Sequence, residues 1–243
     1  MWYILIVSLL AGLATGLGAV PLLIFKDIPH KLYDGLLGFA AGIMVAASSL
    51  TLIPEALGSG SIPSVLLGLA AGAGFILALE TGIPHLEPHF SVRPLSLNLR
   101  QGVLLGLAIA IHNFPEGFAV GVGYSSGVPA LGPALALAIA AQNIPEGLAV
   151  ALPFRKEGVP WMRCILYATA SGLTEPIAAV LGVYFMRLAD SVLPFGLAFA
   201  AGAMIYVASD ELIPESHKHG NEAIATYGVV IGFALMIVMN AAL

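Results

Sequence analysis

Apolar residues follow one another through this 243-residue chain in runs too long and too poor in charge for the surface of a water-soluble fold. A helix that crosses the hydrocarbon core of a bilayer needs about 20 such residues. Eight runs of that kind can be marked, at 3–25, 33–56, 62–83, 99–124, 129–153, 162–186, 194–215 and 222–242. Only 9% of the residues are charged, against about 25% in a soluble domain, and mean hydropathy is +0.97. The runs are continuous and lack ten-residue alternation, which predicts spanning helices and not a barrel. The expected fold is therefore all-α and integral to the membrane, one polytopic domain over 1–243. Turn-forming segments such as "KDIPHK", "GSGSIP", "SSGVP" and "SHKHGN" separate the runs.

A single cysteine, Cys164, excludes an internal disulfide and any cysteine-built metal cage. The net charge of −5 is small, and no nucleic-acid partner is expected. Met1, Trp2 and Tyr3 lead into the first apolar run without a basic segment, so that run reads as a retained helix and not a cleaved signal. Basic residues set the expected orientation. With the N-terminus outside, Lys26, Lys31, Arg93, Arg100, Arg155, Lys156, Arg163 and Lys218 fall on inner connections, and only Arg187 falls outside. The bias predicts a multi-pass inner-membrane protein with both termini outside.

"FAAGIMVAASSLTLIPE" at 39–55 returns as "FAAGAMIYVASDELIPE" at 199–215, 160 residues on. The same spacing aligns 11–20 with 171–180, Gly68 with Gly228 and Gly72 with Gly232. Spans 1–3 thus correspond to spans 6–8. Equivalent helices lie five apart, an odd number, so the copies must cross in opposite directions. This is the inverted repeat of many secondary transporters, with spans 4 and 5 at its centre.

Those two central spans carry "HNFPEG" and "QNIPEG". His112, Asn113 and Glu116 share one helical face, and Pro115 cannot donate to the carbonyl of Ile111. Gln142, Asn143, Glu146 and Pro145 repeat the pattern in span 5, freeing the carbonyl of Ala141. Span 6 adds Glu175, with Pro176 freeing the carbonyl of Gly172. A charge at mid-membrane costs about 2.5–3.5 kcal/mol on the insertion scale. Three glutamates at that depth call for a cation or protons. One imidazole, three carboxylates, amide oxygens and freed carbonyls suit divalent Zn, Fe, Mn, Co or Cd without the trapping that thiolates bring. The remaining histidines, His30, His85, His89, His217 and His219, all fall on the expected inner side, as do Asp34, Asp210, Glu211 and Glu215. Together they suggest a weak metal-receiving vestibule. Met44 taken alone reads as packing.

Eight spans, "HNFPEG", "QNIPEG" and Glu175 together resemble the ZIP (Zrt-/Irt-like) divalent metal transporters, and most resemble their prokaryotic ZupT- and GufA-like branch. The resemblance covers essentially the whole chain. It implies a mid-membrane site for one or two ions, held by His112, Asn113, Glu116, Asn143, Glu146 and Glu175. It implies a further ligand at Met44, which stands in the "AAGxM" segment, and a cytoplasmic route past Asp34, Asp210 and Glu211. It also implies movement of metal into the cytosol by an elevator-like shift of spans 1, 4, 5 and 6 against 2, 3, 7 and 8, and a homodimer. Many members have His where this chain has Gln142, and some have Asp at Asn143. The neutral amides soften the second metal position, and Gln142 either joins the site or hydrogen-bonds across helices. No cofactor is expected beyond the carried ion, such as Zn2+ or Cd2+.

Two other function classes fit part of this pattern. An intramembrane metal-dependent hydrolase would need a metal and a glutamate base, but the chain holds no H-E-x-x-H motif and no serine or aspartate dyad. A proton-coupled carrier of organic solutes would use the glutamates as relays. A transporter, not an enzyme, is the expected function.

Overall fold

The computed structural model describes the backbone of residues 1–90 and 97–242, with the side chains of 83–90, 97–102, 105 and 190 outside that description. His85, His89, Arg93 and Arg100 therefore lie outside the described side chains. Among the described residues the chain is helical without strands. The helices are α1 (Trp2–Gly18), α2 (His30–Ala46), α3 (Ile53–Ser59), α4 (Ile62–Phe90), α5 (Leu97–Ser125), α6 (Leu131–Lys156), α7 (Trp161–Gly172), α8 (Thr174–Met186), α9 (Leu193–Val207), α10 (Ile213–Ser216) and α11 (Glu222–Ala242). Seven continuous helical runs are long and apolar enough to cross a membrane among the described residues. The 29-residue α5 supplies an eighth.

Two runs change helix type in mid-course. Between α2 and α3, Ala47–Leu52 winds as a π-helix, and between α9 and α10, Ala208–Leu212 does the same. Each precedes an "LIPE" segment. Pro54 and Pro214 have no N–H to give to the preceding turn, and their rings crowd it. A wider turn just upstream relieves both problems, and such turns frequently mark functional positions. The run at 161–186 breaks outright. Pro176 cannot bond the carbonyl of Gly172, so α7 ends there and α8 starts anew with Glu175 in its first turn.

α2 packs along α11, and α4 along α9. α1 packs along α6, α5 along α8, and α5 and α6 lie against each other at the centre. The first four helices meet the second group chiefly where α2 touches α6 and α5 touches α9. Outward faces of α4 and α11 expose Leu66, Leu67, Tyr227, Val230 and Ile231, as lipid-facing helices do. Backbones approach closely at glycine, the usual device where helices associate without water to drive them. A Cβ at Gly72 would strike the carbonyl of Phe199, and one at Gly232 would strike that of Phe39. Both partners of the first contact, moved by 160 residues, give the second. Gly12 and Gly172 press on each other's carbonyls at the same spacing.

These contacts make a directional prediction. Gly72→Ala should destabilise the folded protein by ~1–3 kcal/mol through overpacking. Gly74→Ala, on the open side of the same helix, should stay within about 0.5 kcal/mol of the parent. Thermal unfolding in detergent reads both, and equal effects would contradict the packing described.

Candidate metal centre

The centre is built where α5 and α6 meet the ends of two other helices. Pro115 and Pro145 stand inside continuous helices. One residue beyond each following glutamate, glycine admits a neighbouring backbone. Gly117 lies against the backbone of Glu175, and Gly147 against that of Thr15. This brings the polar faces of α5 and α6 onto α8 and α1.

The amides then bridge helices. Asn113 Nδ2 donates to the carbonyl of Ser171 at 3.2 Å. Asn143 Nδ2 donates to the carbonyl of Ala11 at 2.8 Å and to Glu175 Oε1 at 2.7 Å. Gln142 Nε2 donates to Glu116 Oε1 at 2.5 Å. Gln142 thus crosses helices and also touches a carboxylate of the centre. The carbonyls of Ser171 and Ala11 can only accept, so the NH2 ends of Asn113 and Asn143 are fixed and their amide oxygens must face the other way.

What remains is a surplus of acceptors. Asn113, Glu116, Gln142, Asn143 and Glu175 have no exposed surface, and Glu146 and His112 have almost none. Glu116 Oε2, both oxygens of Glu146, Glu175 Oε2 and the amide oxygens of Asn113, Gln142 and Asn143 are buried without a donor. Glu146 lies within electrostatic reach of Glu116, Glu175 and His112. No lysine or arginine is buried among the described residues. Unpaired buried acceptors are costly, and a divalent cation is the partner that satisfies several at once. The oxygen-rich set with one imidazole suits hard to borderline ions.

His112 extends the centre toward α4 and the second π-helical turn. Its Nε2 lies 2.5 Å from Glu211 Oε1 and 3.6 Å from Glu80 Oε1. Glu80, His112 and Glu211 offer ligand atoms within 4.8 Å of one another. Both carboxylates are partly exposed, and Glu211 sits in the second π-helical turn.

The other sequence candidates stand on α2 and in the second π-helical turn. Met44 is fully buried in α2, with its carbonyl accepting from Ser48 Oγ at 2.8 Å. Asp210 is exposed. Asp34 is buried, but His219 and Asn221 bind its two oxygens. Sequence reasoning missed Glu80 and Thr15. Glu80 could have been found as an ionisable residue within an apolar span. Thr15 stands 160 residues before Glu175, and its buried hydroxyl has no partner.

Comparison with known proteins agrees with this chemistry. Residues 89–240 match the family model described as ZIP Zinc transporter. The chain is 40% identical to the zinc transporter GufA of Myxococcus xanthus, over 98% of each chain. It is 41% identical to the zinc transporter ZIPB of Bordetella bronchiseptica, over 95% of this chain and 78% of that one. It is 36% identical to the zinc transporter ZupT of Chlorobaculum parvum, over 95% and 94%. By the span of the family match and these identities, the chain belongs to the ZIP family, whose members are transporters and not enzymes.

Proposed function

We propose that this protein carries zinc, and related divalent ions such as cadmium, across the inner membrane into the cytosol by alternating access about the centre between α5, α6 and α8. The observation that carries this reading is the cluster of buried oxygen acceptors left without a donor, with no buried lysine or arginine among the described residues to neutralise them. Such a set is stable only while a cation or protons visit it. Mixed carboxylate, amide and imidazole ligands also let the ion leave again. His112, Asn113, Glu116, Asn143, Glu146 and Glu175 hold the ion. Gln142 steadies Glu116, and Met44 stands ready on α2.

We infer that α1–α4 and α7–α11 form an inverted repeat. The glycine contacts recurring at 160 residues support it. So do the bonds of Asn113 to Ser171 and of Asn143 to Ala11, which interchange when α5 and α6 are exchanged and the partner is moved by 160. The copies differ in charge. Glu80 and Glu211 correspond to Asn240 and Thr51, a neutral pair joined by a 2.8 Å hydrogen bond. At this pair of positions carboxylates stand on the half facing Lys156 and Lys218, and the excess of Lys and Arg on that side makes it the inner one. An ion leaving the centre finds its next ligands at Glu80 and Glu211, which supports inward transport. The packing into two groups, α2, α4, α9 and α11 against α1, α5, α6, α7 and α8, is what an elevator movement would use. A homodimer is the assembly that kinship with ZIP transporters suggests.

Zinc uptake into proteoliposomes tests the reading. His112→Ala and Glu116→Ala should each cut uptake by at least the ~10–100-fold that even outer-shell changes cost a metal site, with membrane insertion intact. Normal uptake in both would remove the centre from the mechanism. Glu80→Gln should slow uptake while zinc affinity at the centre is kept; loss of that affinity would place Glu80 inside the centre. Gln142→His should tighten equilibrium zinc binding by adding an imidazole, and unchanged affinity would mean that position 142 does not face the ion.

A further inference from the structure

Away from the membrane centre, one imidazole is held more firmly than a surface connection requires. His219 lies in the turn between α10 and α11, and its Nδ1 donates to Asp34 Oδ1 at 2.8 Å. Asp34 is fully buried and takes a second bond on Oδ2 from Asn221 Nδ2, also at 2.8 Å. The ring of His30, the exposed first residue of α2, stacks on His219 with centroids 4.1 Å apart and planes 24° from parallel. The buried ring of Tyr33 meets His219 edge-on at 5.9 Å. A carboxylate can only accept, so the neutral imidazole carries its proton on Nδ1 and presents Nε2 as a lone pair. The side chain is 30% exposed.

An imidazole that donates one nitrogen to a carboxylate and offers the other is the arrangement metal-bound histidines adopt. We propose that His219 and His30 form a second divalent-metal site on this face, separate from the carboxylate centre. His219 Nε2 and a ring nitrogen of His30 are the ligands, Asp34 orients His219, and water completes the coordination. Because the rings are stacked, His30 must turn about its Cα–Cβ bond to bring a nitrogen beside Nε2. Two imidazoles favour zinc, copper or nickel over magnesium or calcium. His217 does not take part, since Ile213, Ser216 and Thr226 engage both its ring nitrogens.

A staple holding the turn to α2 would account for a hydrogen bond to Asp34. Asn221 shows that an amide suffices for that, and a staple needs neither a free Nε2 nor a second imidazole stacked on the first. The turn follows α10, which follows the π-helical turn carrying Glu211. A role in receiving zinc from that carboxylate rests on the inward reading above; the binding itself does not.

The test counts zinc. Full-length protein in nanodiscs is titrated with Zn2+ against a chromophoric chelator, beside Glu116→Ala, His219→Asn and His30→Phe. Asparagine keeps a donor for Asp34 and removes the ligand nitrogen, while phenylalanine keeps the stack and removes the other. Each of these two variants should weaken one class of zinc site by about tenfold or more. The class lost in Glu116→Ala should remain, and the thermal midpoint should not move. An unchanged count in His219→Asn, or a loss there that His30→Phe does not share, overturns the proposal. Because binding is read and not uptake, failure of the transport reading would show separately, as zinc retained in Glu116→Ala at the strength of the parent.

Discussion

Buried carboxylate and amide oxygens that find no donor, gathered in the middle of a helix bundle, are the constraint from which the rest of this structure follows. Each device around them serves to gather acceptors. Pro115 and Pro145 withhold N–H groups beside the polar side chains, and the break before Glu175 leaves the Ser171 carbonyl for Asn113. Gly117 and Gly147 let the helices close to a distance at which amides can bridge them. A bundle evolved for stability alone would have placed leucine at these positions, because unpaired acceptors weigh against folding. On the proposed function, a visiting ion accounts for them, its binding energy stabilising the folded state.

On the inverted-repeat reading, the scaffold is duplicated but the chemistry is not. Asn113 and Asn143, Glu116 and Glu146 are matched pairs. His112 corresponds to Gln142, Glu175 to Thr15, and the Glu80 and Glu211 pair to Asn240 and Thr51. The symmetric part supplies a centre that both sides of the membrane can reach in turn. The unequal part supplies a gradient of ligands toward one face. A symmetric site alone would bind an ion without preferring a route out.

The membrane helices were legible in the sequence because length and apolarity are the whole of the physical requirement. The paired "NFPEG" and "NIPEG" segments were legible for the opposite reason, as polar groups where the solvent forbids them. Glu80 escaped because it belongs to no motif, and only its depth in the membrane distinguishes it. The π-helical turns have no residue signature beyond the proline that follows them, yet one such turn carries Glu211, within reach of His112. Asp34 reads from the sequence only as an acidic residue near a helix end, but its partners His219 and Asn221 lie 185 and 187 residues away. No local pattern announces a pairing of that range. For Gln142 the sequence leaves two readings open, and its bond crosses helices to reach a carboxylate of the proposed centre.

The central claim is that a doubly charged ion is what these carboxylates are arranged to hold. A crystal of the protein soaked with cadmium, examined for anomalous scattering, tests it most directly. The account predicts a peak between α5, α6 and α8, within bonding distance of Glu116 and Glu146. A map with no peak there, or one in which Glu116, Glu146 and Glu175 point away from one another, would contradict it.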